Sequence, residues 1–186
     1  ISNVYSNIAE AVADNGTNVV YDMAVPHNAI INILKELPEG AAILIQKPMG
    51  ADQNQAREIR TICRTKGFKS AMNFQLRFSP MMLAVKDAIE RGWLGELLEI
   101  EVHLNILTPW KIFPILIPMK RVEIAVHSIH YLDTIRAIAG NPKGGFARSL
   151  RDPRVEDFAQ TRTSVILDYG DTLRRTLSIH HHHEYG

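Results

Sequence analysis

The sequence of 186 residues contains one cysteine, Cys63. A single thiol excludes an internal disulfide and makes a reducing compartment, the cytoplasm, the simple reading. No basic segment followed by an apolar one opens the chain, so a signal peptide is not expected. Long apolar runs are missing too. The nearest, "ILTPWKIFPILIPM", is broken by Lys111 and three prolines, so no membrane span is expected. Nor does one charge predominate: 21 Lys and Arg face 20 Asp and Glu, for a net +1. That balance gives no electrostatic case for nucleic acid or an anionic membrane. A dinucleotide-binding sheet opens with strand–GxGxxG–helix, and no GxGxxG occurs here. Either the first strand–helix units lie outside this sequence, or it forms no dinucleotide site. Both ends read as incomplete, since the chain opens on a helix and closes on a strand.

What is present alternates between two periods. Val4, Ile8, Ala11 and Val12 recur at helical spacing until "DNG" stops them. "NVVYDMAV" (18–25) is a short apolar strand. A helix over 27–37 follows, then the strand "AAILIQ", a helix from Asp52 to Thr65 with Asp52 as N-cap, and the strand "KSAMNF". Buried-looking strands separated by helices imply a parallel sheet with helical crossovers. From about residue 79 the pattern changes. A helix (80–91) leads into the long alternating strand "ELLEIEVHLNIL". A Pro-rich stretch (108–121) and a helix (122–140) follow. The last segment, "TRTSVILDYGDTLRRTLSIHHHH", reads as a hairpin turning at "YGD". The fold class is α/β: part of a Rossmann-like parallel sheet, then a second α/β domain on a large, mostly antiparallel open sheet.

Chemistry is expected beyond the carboxyl ends of parallel strands. Three successive ends carry "VPH" (25–27), Lys47 with Pro48, and "NFQLRF" (73–78). Pro48 fixes the chain just past the lysine, where a tight turn or a cis peptide fits. A lone Lys-Pro can mark only where a strand leaves the core; three polar strand ends together favour a site. Glu123, His127 and His130 are spaced four and three apart and share a helical face, with Asp133 on its flank. A carboxylate-held histidine is a usual general base near neutral pH. The other reading is amphipathic packing, with the histidines at the margin of Ile124, Ile129, Leu132, Ile135 and Ile138. His180–His183 are read first as a native strand, second as a tag and third as a metal site. Alternate residues of a strand face opposite ways, and Cys63 lies on a helix elsewhere, so no metal is expected. "RSLRDPR" and Arg174-Arg175 read as solvated surface. Trp110 walls a pocket or packs its loop.

These segments carry a resemblance. "ILIQKPMG" resembles the "EKP" signature of the Gfo/Idh/MocA family, named for glucose-fructose oxidoreductase, inositol dehydrogenase and rhizopine catabolism. "FQLRFSPMMLAVKDAIERGWLGELLEIEV" is similar to the stretch joining that family's two domains. "HSIHYLDTIRAIAG" is similar to its catalytic-histidine helix, and "TLSIHHHHEYG" to a strand of its second domain. The resemblance implies that residues 1–75 are the C-terminal part of a Rossmann domain. Residues 76–186 are then the substrate and oligomerisation domain, incomplete at its C-terminus. It implies an NAD- or NADP-dependent oxidoreductase acting at a hydroxyl carbon of a sugar, cyclitol or related compound. A homo-oligomer would form through the second-domain sheet.

On this resemblance Lys47 lies near nicotinamide and substrate, and His130 exchanges the hydroxyl proton. Pro26 and His27 lie along the cofactor, with Pro48 beside Lys47, and Asn73 and Arg77 lie near the nicotinamide end or the substrate; apart from the resemblance, Trp110 is a candidate substrate contact from its loop. The sequence departs from the family pattern at Gln46, where Glu is usual, and at Val126, where Asp is usual. Glu123 or His127 then stands in for that Asp. The rival expectations are a non-catalytic relative that binds a sugar or a protein, and a metal-dependent hydrolase.

Overall fold

The computed structural model describes residues 3–15 and 18–183. The chain divides into two units, Ile1–Asn73 and Phe74–Gly186.

The first unit begins with α1 (Ile8–Asn15). Asn7 Oδ1 accepts from the Glu10 amide at 2.9 Å, and Glu10 reaches back to the Ser6 amide at 3.1 Å. This reciprocal cap satisfies amides that the first helical turn leaves open. Then come β1 (Val20–Met23), α2 (Ile30–Glu36), β2 (Ala42–Ile45), α3 (Gln53–Thr65) and β3 (Lys69–Met72). The strands pair in the order β1-β2-β3, both pairs parallel, as the alternating periods predict. Met23, Ile43 and Ile45 pack with Ile30 and Leu34 of α2 and Ile59 and Cys63 of α3. Asp52 caps α3, accepting from Asn54 N at 2.8 Å and Gln55 N at 3.0 Å. Gly50 has φ +91°, and a Cβ there would lie 2.7 Å from Gln55 Cβ. No other residue fits that turn without strain.

The second unit opens with a 3-10 turn, Gln75–Phe78, and α4 (Pro80–Glu90). Its strands are β4 (Glu99–Asn105), β5 (Gly144–Leu150), β6 (Arg162–Asp168) and β7 (Arg174–His180), in the order β4-β7-β6-β5. β5-β6 and β6-β7 are antiparallel, and β4-β7 is parallel. The sheet is therefore mixed, with antiparallel pairs in the majority. Val165, Leu177 and Ile179 form its buried face, against which Ile124, Tyr131 and Leu132 pack.

Three expectations are corrected here. β5 was not expected: "GGFARSL" has no period-two apolar pattern, and it is a strand because β6 supplies its ladder. The helix expected over 122–140 begins instead as a π-helical stretch, Ile124–Ser128, before α5 (Ile129–Ala139). Of the segments read as solvated surface, Asp152 and Arg175 are each 2% exposed. Arg154 donates to both Asp152 oxygens and to the His182 carbonyl, and His180 Nε2 lies 2.8 Å from Asp152. Arg175 lies under the Tyr169 ring.

Candidate active site

In the first unit the polar side chains cluster where the three parallel strands end. β2 delivers Gln46 and Lys47, and the Lys47–Pro48 peptide is cis. Lys47 is half-buried, and desolvation lowers its pKa from the usual lysine value. His27 follows β1. It is buried, and burial lowers its pKa as well. Pro26 is exposed beside it. Asn73 follows β3, and its amide hydrogen-bonds back to the Ile45 carbonyl at 2.8 Å. Gln46 ties the ends together: its Nε2 donates to Asp22 Oδ1 at 2.8 Å, and its Oε1 accepts from Asn73 Nδ2 at 2.9 Å. Asp22 was not singled out in the sequence, because one acid in a four-residue strand carries no pattern.

In the second unit the helical stripe expected from residues 123, 127 and 130 takes two directions. Glu123 is completely buried. Ser128 Oγ donates toward both of its oxygens, at 2.8 and 2.9 Å. The five-residue separation of this pair suits a π turn, which brings positions i and i+5 together. Burial raises the Glu123 pKa, opposed by hydrogen bonds from Thr163 and Ser128. Glu123 thus has no surface for a substrate and acts only through neighbours. His127 stacks on His181. His181 is wholly buried, with Nδ1 2.8 Å from Thr108 Oγ1 and Nε2 3.6 Å from Glu123.

His130 faces another way, edge-on to Phe74 with ring centroids 5.9 Å apart. One turn later Asp133, 5% exposed, takes two hydrogen bonds from Arg77, Nε at 2.9 Å and Nη2 at 2.5 Å. Arg77 thereby locks the Gln75–Phe78 turn to α5. Trp110 is 3% exposed, donates from Nε1 to the His181 carbonyl at 3.0 Å, and packs on Phe158 and His127. Its pocket-wall reading gives way to loop packing. His181, Thr108 and Ser128 were missed. Strand alternation in the histidine tract was the one available signal, since it turns one of each neighbouring pair inward. Among the described residues no group of three or more His, Cys, Asp or Glu is placed to hold a metal ion.

No model of a known protein family matches the chain. The uncharacterized oxidoreductase YhhX of Escherichia coli (strain K12) is 29% identical over 137 residues, 74% of this chain and 39% of that protein. A trans-1,2-dihydrobenzene-1,2-diol dehydrogenase of Macaca fuscata fuscata is 29% identical over 99 residues, 52% of this chain and 29% of that protein. The WlbA dehydrogenase of Bordetella pertussis, solved with NADH and UDP-GlcNAcA, superposes with TM-score 0.75 at 17% identity, over 97% of this chain and 53% of that one. A myo-inositol dehydrogenase of Corynebacterium glutamicum gives TM-score 0.70 at 17% identity, over 89% of this chain and 50% of that one. The chain is similar to proteins named as oxidoreductases and dehydrogenases, at 29% identity. It spans less than two thirds of each of these proteins. The likeness to the solved structures lies in the fold: a parallel, Rossmann-like sheet and a mixed sheet carrying the histidine helix. No helix among the described residues is long and apolar enough to cross a membrane.

Proposed function

We propose that the protein carrying this chain is an NAD- or NADP-dependent oxidoreductase acting on a hydroxyl carbon of a sugar, cyclitol or related polyol. The observation that carries this reading is the half-buried Lys47, pKa lowered, at the carboxyl end of a parallel strand between His27 and Asn73. Such a donor set fits a nicotinamide and a carbinol oxygen: a cation, an imidazole and a primary amide at one sheet edge. The bound NADH of the WlbA structure, and the NAD+ of a related oxidoreductase from Agrobacterium radiobacter, support the choice of cofactor. In this reading Pro26, His27, Lys47, Pro48 and Asn73 hold the dinucleotide, and residues 1–75 are the end of its domain. Residues 76–186 form the substrate domain.

Held by Pro26, His27, Lys47, Pro48 and Asn73, a nicotinamide would supply the acceptor for the hydride of the carbinol carbon. This chain supplies the rest. The Lys47 ammonium donates a hydrogen bond to the substrate oxygen and stabilises the charge that develops there. The His130 imidazole takes the hydroxyl proton. Arg77, anchored by Asp133, meets the substrate from its turn. Glu123 and His127 support the helix that bears His130. The open face of the second sheet, with Phe146 67% and Ile166 56% exposed, supports assembly of copies through that face. A lone cysteine suits the cytoplasm.

The test is absorbance at 340 nm with the full chain, NAD+ or NADP+, and a panel of polyols and sugars. A rate with at least one polyol, lost in His130→Ala, is expected. No rate with any of them, together with no dinucleotide binding, overturns the reading.

A further inference from the structure

We propose that Gln46 is a positioning residue of the strand-end site, and that Asp22 is what makes a glutamine necessary there. Only the ligand half of this inference rests on the proposed dinucleotide reading. Asp22, Gln46 and Asn73 come from three different strands or their ends. Asp22 pairs with Leu44 in the ladder, so Gln46, two residues on, projects from the same face of the sheet. Asn73 follows Met72, the register partner of Ile45, and lies level with Gln46.

The hydrogen bonds assign the amides. A carboxylate only accepts, so the group 2.8 Å from Asp22 Oδ1 is Gln46 Nε2. Its Oε1 then faces Asn73, whose Nδ2 donates at 2.9 Å. One end of the Asn73 amide is thus committed, and the direction of its oxygen is set. A glutamate at 46 would still accept from Asn73. Toward Asp22 it would offer a second carboxylate at hydrogen-bond distance, which repels unless one of the pair takes a proton. Gln46 is therefore more than a lost charge. The negative charge absent from position 46 stands one strand away at Asp22, and glutamine is the side chain of that length that donates to Asp22 and accepts from Asn73. Lys47 and Pro48 follow directly, so the clasp also fixes where that turn leaves the sheet.

The experiment is a two-residue cycle in the full chain: wild type, Gln46→Glu, Asp22→Asn, and both together. Thermal midpoints are read at pH 5 and pH 8, and NADH and NADPH affinity by fluorescence titration at both. Gln46→Glu should lower the midpoint by about 3 °C at pH 8 and by less than about 1 °C at pH 5, as befits a partly exposed pair. It should weaken dinucleotide binding about fivefold at pH 8. The sign follows from a carboxylate pKa raised by its neighbour: the folded state loses stability as pH climbs past the carboxylate range. Asp22→Asn in the Gln46→Glu background restores a donor and should recover most of both losses. Equal midpoints for Gln46→Glu and wild type at pH 8, or no recovery in the double variant, overturn the pairing. A pH-dependent midpoint cycle with unchanged dinucleotide affinity overturns the positioning role. If wild type binds neither dinucleotide, the proposed function fails and the midpoints still decide the pairing.

Discussion

His127 and His181 stack face to face, with ring centroids 3.8 Å apart and planes 15° from parallel. Both rings cannot be charged at that separation without strong repulsion. Nδ1 of His181 lies 2.8 Å from the Thr108 hydroxyl, and Nε2 lies 3.6 Å from the Glu123 carboxylate. His181→Leu keeps bulk but removes the partner of two buried polar groups. It should cost about 3 kcal/mol of stability, read as a lowered urea midpoint. An unchanged midpoint would mean that the inward histidine holds nothing together.

Lys47→Met should reduce turnover by about a hundredfold or more while leaving the thermal midpoint within a few degrees. Because burial lowers its pKa, the ammonium is lost at lower pH than in free lysine. The wild type should therefore lose kcat on the alkaline side, and Lys47→Arg, which keeps the charge, should remove that decline. Steady-state rates from pH 6 to 10 check this, and full turnover in Lys47→Met would take the residue out of the mechanism.

His130→Ala should lower kcat by about a thousandfold across the pH range. His127→Ala or Glu123→Gln should lower kcat far less, since His127 packs on His181 and Glu123 meets Ser128 and His181, while His130 faces another way. Normal turnover of His130→Ala at every pH would favour a non-catalytic role.

Arg77→Met leaves the Asp133 carboxylate, 5% exposed, without its two-pronged donor. The expected loss is about 2 kcal/mol, and the Gln75–Phe78 turn should exchange its amides faster. Hydrogen exchange over residues 74–79 is the measurement; unchanged protection would show that the turn is held by its apolar contacts alone.

Asp152→Asn tests the clasp on the histidine tract. Arg154 first, then His180, holds the Asp152 carboxyl well below the usual carboxylate range. A depressed carboxylate pKa contributes stability that is present above about pH 4 and is lost as pH falls below it. Wild type should therefore exceed Asp152→Asn at pH 7 by about 2 kcal/mol, with the gap closing toward pH 3. A gap independent of pH would assign the effect to packing.

Periodicity made most of the architecture legible. Apolar runs with helical crossovers announced the parallel sheet, Asp52 announced the start of α3, and the "YGD" turn announced the β6–β7 hairpin. β5 escaped because a glycine-led edge strand has no apolar stripe to read; its strand character comes from β6. The π stretch escaped because it is marked only by the buried Glu123–Ser128 contact, and no apolar periodicity signals a five-residue pairing.

The sequence alone determined which residues stand at the ends of the strands, Lys47 among them, because strand length and apolar runs are local properties. Only the tertiary structure decided what those residues do to one another. Gln46 finds Asp22, 24 positions away, and Glu123 meets His181, 58 positions away; pairs so distant leave no spacing rule in a single chain. Burial then raised the pKa of Glu123 and lowered that of Lys47. Desolvation acts on groups packed into an interior, and within each unit that interior exists only after its own strands and helices have come together.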